Sequence, residues 1–340
     1  MRYSTSKIPP EISVIICHHT GELLYDMLTS LKTCTVPIEV IVVTSDEEIA
    51  TGGIEGIYTL YSTEMPATKR NRAARMARGK YLAIFDDDVE ILPGCIEEML
   101  KLIKSDKSIG MVYGKLHKFD EPHRFDEAGG FLTSTGFIWS RAGQNIVDNG
   151  QYDTTEPIFA GKSASCLVRR DLWLKLDGMD ESFGILGEES DLSWRIWLAG
   201  YQVWWCPQSV ALHKFNTPLK PVNKYYTSTR VQFNGCRNYI TMLIKNLGVS
   251  HLWIVPIHTM IWFIASVAML GTGKVVQSWN IIKGIGSVLV NLGGILKKRK
   301  EIQKNREITE KQLWACIKRR PPKGYYTQRF TRYARTSLHG

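Results

Sequence analysis

Apolar and mixed blocks alternate from the start of the chain. Ile12–Cys17 (ISVIIC) is a nearly continuous apolar run rich in β-branched residues, the pattern of a strand buried on both faces. Leu23, Leu24, Met27, Leu28 and Leu31 then recur at helical spacing between Gly21 and Cys34. Glu39–Val43 (EVIVV) predicts a second buried strand and Ile57–Tyr61 a third. Thr68–Ala77 predicts a helix with Gly79 as its C-terminal stop. Tyr81–Phe85 (YLAIF) predicts a fourth strand that runs into Asp86-Asp87-Asp88, and Pro93 starts a helix expected to reach Ile103. Strands alternating with helices predict an α/β fold on a mostly parallel sheet with flanking helices. Such sheets bind ligands beyond the carboxyl ends of their strands, where the triple aspartate stands.

The second half has weaker periodicity. Lys118–Pro157 is polar and Gly-rich, which predicts long loops over a site. Phe159–Val168 reads as a strand, and Glu188–Leu198 as a helix stopped at Gly200. Gln202–Cys206 and Ser209–Leu212 read as two short strands, the second ending at His213. Leu252–Leu270 holds 19 mostly apolar residues without a formal charge, near the minimum for a membrane span, although Pro256 and His258 weaken that reading. With the Gly-interrupted Val275–Leu296 it fits a re-entrant or interfacial hairpin. The layout expected is one α/β unit over 1–245, an apolar helical, membrane-associating region over 246–300, and a tail over 301–340.

Charge sharpens that division. The formal net charge is +10, yet Lys297–Gly340 alone carries 14 Lys and Arg against 3 Asp and Glu. A basic tail suits an anionic lipid surface or nucleic acid. Tyr325, Tyr326, Phe330 and Tyr333 could stack on bases, but the membrane reading is preferred because the apolar segment precedes the tail. The seven cysteines are scattered, with no CxxC pair, which argues against a disulfide framework or a zinc knuckle and fits a reducing cytosol. The N-terminus lacks an apolar signal-peptide core.

Three successive carboxylates after a buried strand repel one another, and a divalent cation relieves the repulsion. Alternation along an extended chain points Asp86 and Asp88 one way and Asp87 the other. Glu188, Glu189 and Asp191 form a second acidic cluster at a helix N-terminus, which favours an ionised carboxylate such as a general base requires. Asp191 could equally pair with Arg195 one turn on. His213 at a strand end is a candidate metal ligand, and Lys69 or Arg70 could meet a diphosphate.

Taken in order, ISVIIC, EVIVV, KRNRAAR, GKYLAIFDDDV, GMDESFG, GEESDLSWRIWLAGY and SVALH resemble family 2 glycosyltransferases of the Rossmann-like GT-A fold, nearest the rhamnosyltransferase-like branch. The similarity runs from about Ile12 to Lys245. It implies a donor half over about 12–117 and an acceptor half over about 118–245. It also implies nucleotide-sugar contacts at Thr20, Asp46, Arg70, Asn71, Asp86 and Asp87, and a metal held by Asp86, Asp88 and His213. The second acid of the family's E-D-x-D-L-x-x-R pattern is its base, which here is Glu189, ahead of Glu188 and Asp191. This sequence has Glu where Asp is usual, and Thr44-Ser45-Asp46 where the family has Asp directly after the second strand. His18-His19-Thr20 also departs from the common Pro-Thr-x-Asn.

The resulting expectation is an inverting hexosyl- or deoxyhexosyltransferase using Mn²⁺ or Mg²⁺. Its donor would be a nucleotide sugar and its acceptor a lipid-linked or other glycan of polysaccharide biosynthesis. It would sit on the cytoplasmic side of the cell membrane, attached peripherally or re-entrantly. The rival is a degenerate GT-A domain serving as a non-catalytic, nucleotide-binding membrane scaffold. A nucleotidyltransferase would need a Gly-rich loop after the first strand, which HHTGELL does not supply.

Overall fold

The computed structural model describes residues 10–19, 23–53, 56–142, 146–214 and 230–327. The first four expected strands form as one parallel block: β1 (Ile12–His18), β2 (Ile38–Thr44), β3 (Tyr58–Tyr61) and β4 (Tyr81–Asp86). Their β-branched residues are buried from both sides, with Val14, Ile15, Ile16, Val40, Val42 and Val43 wholly inaccessible. The sheet continues through β11 (Ser165–Arg169), β6 (Ile109–Lys118) and β12 (Gln202–His213), in the order β12-β6-β11-β4-β1-β2-β3. In this run β11 alone is reversed, antiparallel to both β4 and β6, while β12 and β6 run parallel. Helices α1 (Leu23–Ser30), α2 (Glu47–Gly52), α3 (Pro66–Met76) and α4 (Cys95–Ser105) flank the sheet.

Several expectations are corrected. Gly79 does not end a left-handed cap: α3 stops at Met76, and Gly79 is needed because a Cβ there would lie 2.5 Å from the Ser13 nitrogen. β6 went unseen because Gly110 and Gly114 interrupt its apolar run. A Cβ at Gly114 would meet the Ser209 hydroxyl at 2.7 Å. The two short strands expected around Pro207 are one strand, β12, with a register shift between Cys206 and Val210. The segment read as loops over 118–157 holds four short strands, β7 to β10. β5 (Val89–Ile91) and β10 (Glu156–Pro157) pair with β12, β7 (Phe125–Glu127) pairs with β6, and β8 (Gly130–Leu132) pairs with β9 (Ile138–Ser140).

After α5 (Arg170–Lys175) and α6 (Glu188–Leu198), the C-terminal third is helical: α7 (Arg230–Asn246), α8 (Ile254–Gly271), α9 (Val275–Val290), α10 (Leu292–Lys304) and α11 (Glu310–Ile317). Packing runs across the boundaries expected at 245 and 300. Arg299 donates to the Ile244 carbonyl at 2.5 Å, and Gln303 to the Lys245 carbonyl at 3.1 Å. Leu313 and Ile317 are buried in the main core, and Tyr325 donates to the Ile138 carbonyl at 2.7 Å. The described part of the basic tail is therefore packed structure, since enough apolar side chains are interspersed with its charges to dock it. Phe330 and Tyr333 lie outside the described residues. Among the described residues, one helical stretch, Val249–Gly271, is long and apolar enough to cross a membrane. α9 and α10 meet at a 65° bend.

Candidate active site

β1, β2 and β4 end together, and the side chains at their carboxyl ends meet there. Asp86, the last residue of β4, accepts from Arg70 at 2.7 Å. Asp88 follows on the turn into β5. β12 pairs with β5 so that His213 lies opposite Val89, next to that turn. Asp86, Asp88 and His213 each offer a ligand atom, all within 4.8 Å of one another. Asp87 lies with Asp88 in the turn after β4, not in the extended chain the alternation assumed, and accepts from the His19 backbone N–H at 3.3 Å.

His213 is buried between two carboxylates, Asp126 at 2.7 Å on Nδ1 and Asp88 at 3.4 Å from Nε2. Burial alone would depress its pKa, but Asp88 and Asp126 outweigh it and raise the pKa to about 9. The metal-free imidazole is thus protonated at neutral pH, and a cation must displace that proton to bind. Two carboxylates, an imidazole and a carboxylate behind that imidazole form a donor set that fits Mn²⁺ or Mg²⁺, the nitrogen favouring Mn²⁺.

The other expected donor contacts divide. Arg70, on the buried face of α3, reaches Asp86 and, at 3.8 Å, Glu188, so it stands between the two acidic clusters. Lys69 donates to the His18 carbonyl at 3.0 Å, and burial lowers its pKa. Asn71 is occupied in binding the loop before α6, exchanging hydrogen bonds with the Met179 backbone at 2.8 and 2.9 Å. Asp46 caps α2, accepting from the Glu48 and Ile49 backbone at 3.0 and 3.2 Å. Thr20 lies outside the described residues.

The acids of the second cluster have three different surroundings. Gly187 in a left-handed conformation (φ 91°) turns the chain into α6, and Leu186 before it is also left-handed (φ 74°), an uncommon state for a side chain with a Cβ. Three carbonyls of this loop, Phe183, Ile185 and Leu186, accept from the Asn238 amide of α7 at 3.1, 2.9 and 2.7 Å. Burial, then the neighbouring Glu189, push the Glu188 carboxyl well up. Burial also raises Glu189. The helix N-terminus was expected to hold these carboxyls ionised, but burial is the larger effect. Asp191 is wholly buried and bound to Arg195 at 2.8 Å, Lys245 at 3.0 Å and Asn246 at 2.8 Å. Burial opposes its ionisation, but Lys245 and Arg195 prevail and lower its pKa.

Glu189 borders a cavity of about 250 Å³, together with Glu127, Ser140, Lys162, Asn238 and Tyr239. Lys162 falls in the acceptor half that the resemblance implies, about 118–245. Asp180, in the same half, pairs with Lys245 and Lys298. Asp126 and Glu127 had not been singled out. They sit in a polar segment without periodicity, and two adjacent acids were the one available signal. Burial raises the Glu127 carboxyl, which accepts from Ser140 at 3.1 Å.

Residues 13–169 match the family model described as Glycosyl transferase family 2. That stretch is a little under half of the chain and contains β1 to β4, the triple aspartate and Lys162. A structure of GalNAc-T7 with UDP, GalNAc and Mn²⁺ is similar with a TM-score of 0.54 at 13% identity, over 85% of this chain. The alignment covers 58% of that chain. The mannosyltransferase PcManGT from Pyrobaculum calidifontis, in complex with GDP-Man and Mn²⁺, has a TM-score of 0.49 at 15% identity, over 85% of this chain and 92% of that one. No curated protein matched. At such identities the first likeness speaks to fold, and with the family match it supports the GT-A-like sheet with flanking helices expected from the sequence.

Proposed function

We propose that this protein is an inverting glycosyltransferase that moves a sugar, a hexose or deoxyhexose, from a nucleotide-sugar donor to a lipid-linked or other glycan acceptor. The observation that carries the reading is the Asp86, Asp88 and His213 cluster at the ends of parallel strands, one ion pair away from the acids of α6. Mn²⁺ or Mg²⁺ held there would neutralise charge on a departing diphosphate. Arg70 keeps Asp86 fixed and adds positive charge beside the donor. Glu189, on the cavity wall, takes the proton of the acceptor hydroxyl. That oxygen bonds to the anomeric carbon as the sugar–phosphate bond breaks, and the electron pair leaves with the nucleoside diphosphate. The carboxyl raised by burial suits a base working near neutral pH. The resemblance to the rhamnosyltransferase-like branch favours a deoxyhexose. A hydrolysis screen of nucleoside diphosphate sugars with and without Mn²⁺ tests the reading. Metal-dependent release of one nucleoside diphosphate is expected, whereas binding without turnover of any donor would favour the non-catalytic scaffold.

The same reading places the enzyme on the cytosolic face of a membrane. Trp253, Ile257, Met260, Ile264 and Val267 form an exposed stripe on and just before α8, while its polar His258 and Ser266 face inward to the Thr135 carbonyl and Ser278. Residues 192–300 contain no Asp or Glu, so nothing acidic in this segment opposes an anionic surface. This asymmetry fits attachment in the plane of the interface better than a span. Ile264→Glu should abolish flotation with anionic vesicles at low salt; flotation equal to wild type would remove the stripe from the contact.

A further inference from the structure

His213 and Asp126 are 87 residues apart, and the sheet brings them together. β12 runs parallel to β6 with His213 opposite Lys118, and β7 runs antiparallel to β6 with Phe125 opposite His117. The outcome is a hydrogen bond of 2.7 Å between His213 Nδ1 and Asp126 Oδ2. Lys162 Nζ binds the same carboxylate oxygen at 2.6 Å. The Asp126 side chain is 4% exposed, so this carboxylate is pinned from two sides with little access to water. His213 then presents Nε2 toward Asp88.

We propose that Asp126 is the positioning residue of the cation site: it accepts the Nδ1 proton of His213, so that Nε2 is the nitrogen that ligates, and aims it at the ion held by Asp86 and Asp88. A histidine that binds a metal through one nitrogen needs its other N–H satisfied, because that bond fixes both tautomer and ring orientation. The neighbouring carboxylate also makes the imidazole a stronger donor. Lys162 gives the arrangement a further property. It borders the cavity that holds Glu189, so a chain of contacts, Lys162 to Asp126 to His213, runs from that cavity to the cation site. Asp126 is thereby distinguished from Asp88, which lies within ligand distance of the other metal-binding atoms.

The proposal rests on the metal reading above, and the experiment separates the two. Mn²⁺ alone is titrated into the full-length protein and its Asp126→Asn, Asp126→Ala and His213→Ala variants by calorimetry. The ¹⁴N coupling of a ligating imidazole is read by pulsed electron paramagnetic resonance of bound Mn²⁺. Asp126→Ala should weaken Mn²⁺ binding by about 10- to 100-fold, the usual cost of an outer-shell partner, and lose the nitrogen coupling. Asp126→Asn, which keeps the shape and an accepting oxygen, should retain the coupling with a smaller loss of affinity. Wild-type affinity in both Asp126 variants overturns the proposal, and if Asp126→Ala does not fold, wild-type affinity in Asp126→Asn does so alone. If His213→Ala also binds Mn²⁺ as wild type does, the metal reading itself falls; if it binds weakly while the Asp126 variants do not, only the positioning role falls.

Discussion

The two acidic clusters use the same chemistry in opposite ways. At the end of β4, Asp86 faces the Arg70 guanidinium and Asp88 faces an imidazole held charged by two carboxylates. At the start of α6, Glu188 is buried beside a half-buried Glu189 on the cavity wall, and both carboxyls are pushed up. One cluster is set among positive charges, whereas in the other burial favours the protonated carboxyl. Arg70 touches both, 2.7 Å from Asp86 and 3.8 Å from Glu188, so the difference lies in how closely a cation approaches each carboxylate. Carboxyls given different surroundings within one site can serve separately as anchor and as proton acceptor.

The comparison breaks most sharply at Glu189. Glu189→Gln should lower turnover by about 10² to 10⁴ while leaving donor binding close to wild type. In the wild type, turnover should rise with pH as the raised Glu189 carboxyl ionises, and the variant should lack that limb. Steady-state kinetics against pH, beside calorimetry with the donor, measures both. Near-normal turnover would transfer the base role to Glu188, the other raised carboxyl of the cluster.

Asp191 belongs to the same sequence motif but not to the same chemistry. Its ion pairs with Lys245 and Arg195 lie in the interior, tying α6 to α7. Removing one member of a buried ion pair typically costs 3–5 kcal/mol, so Asp191→Asn should lower stability by about 3 kcal/mol. The low end is expected because Arg195 keeps the Leu176 and Gly178 carbonyls and Lys245 keeps Asp180. Urea unfolding gives the loss, and the folded fraction should bind donor normally. A variant of wild-type stability that binds donor but does not turn over would make Asp191 catalytic instead.

At the other cluster, Asp88→Asn removes a charge facing the cation. Mn²⁺ affinity should fall by at least about tenfold, since even outer-shell partners are worth that much. Calorimetry with nucleoside diphosphate, with and without Mn²⁺, reports it. Unchanged affinity in the presence of metal would leave the triple aspartate as an acidic turn.

These contrasts also mark how far the sequence could be read. β1, β2 and β4 were legible because each is a short apolar run buried on both faces, and Asp86 was legible because it ends such a run. β6 was hidden by Gly110 and Gly114, whose missing side chains make room for neighbours distant in sequence. Asp126 acquires its meaning from two strand pairings that no local pattern encodes. The motif at 188–191 fixed where the acids sit on α6, but not that burial would override the helix N-terminus at Glu188 or that Lys245 would bind Asp191. The second follows from α7, more than forty residues downstream. The tail's charge pointed to an anionic surface and gave no sign that Leu313 and Ile317 anchor it to the core.

The smallest effect tests whether burial is what sets the second cluster apart. A carboxyl whose pKa is raised on folding holds its proton more tightly in the folded chain than in the unfolded one. Its contribution to stability is fully present below the unfolded value of about 4.3 and is lost as pH rises through the raised folded value. Glu188 is such a group. Glu188→Gln removes the titration but keeps the size, so the variant should gain on the wild type as pH rises. The difference in melting temperature, variant minus wild type, should be larger at pH 8 than at pH 5 by a few degrees, the shift expected for roughly 1 kcal/mol in a chain of this size. Taking the difference between two pH values cancels any constant cost of loosening Arg70, which keeps Asp86 in either case. Both measurements are made without metal, because a bound cation nearby would itself favour the ionised carboxyl. A difference independent of pH would mean that Glu188 has the same charge as an exposed glutamate, and that the two clusters differ in position but not in electrostatics.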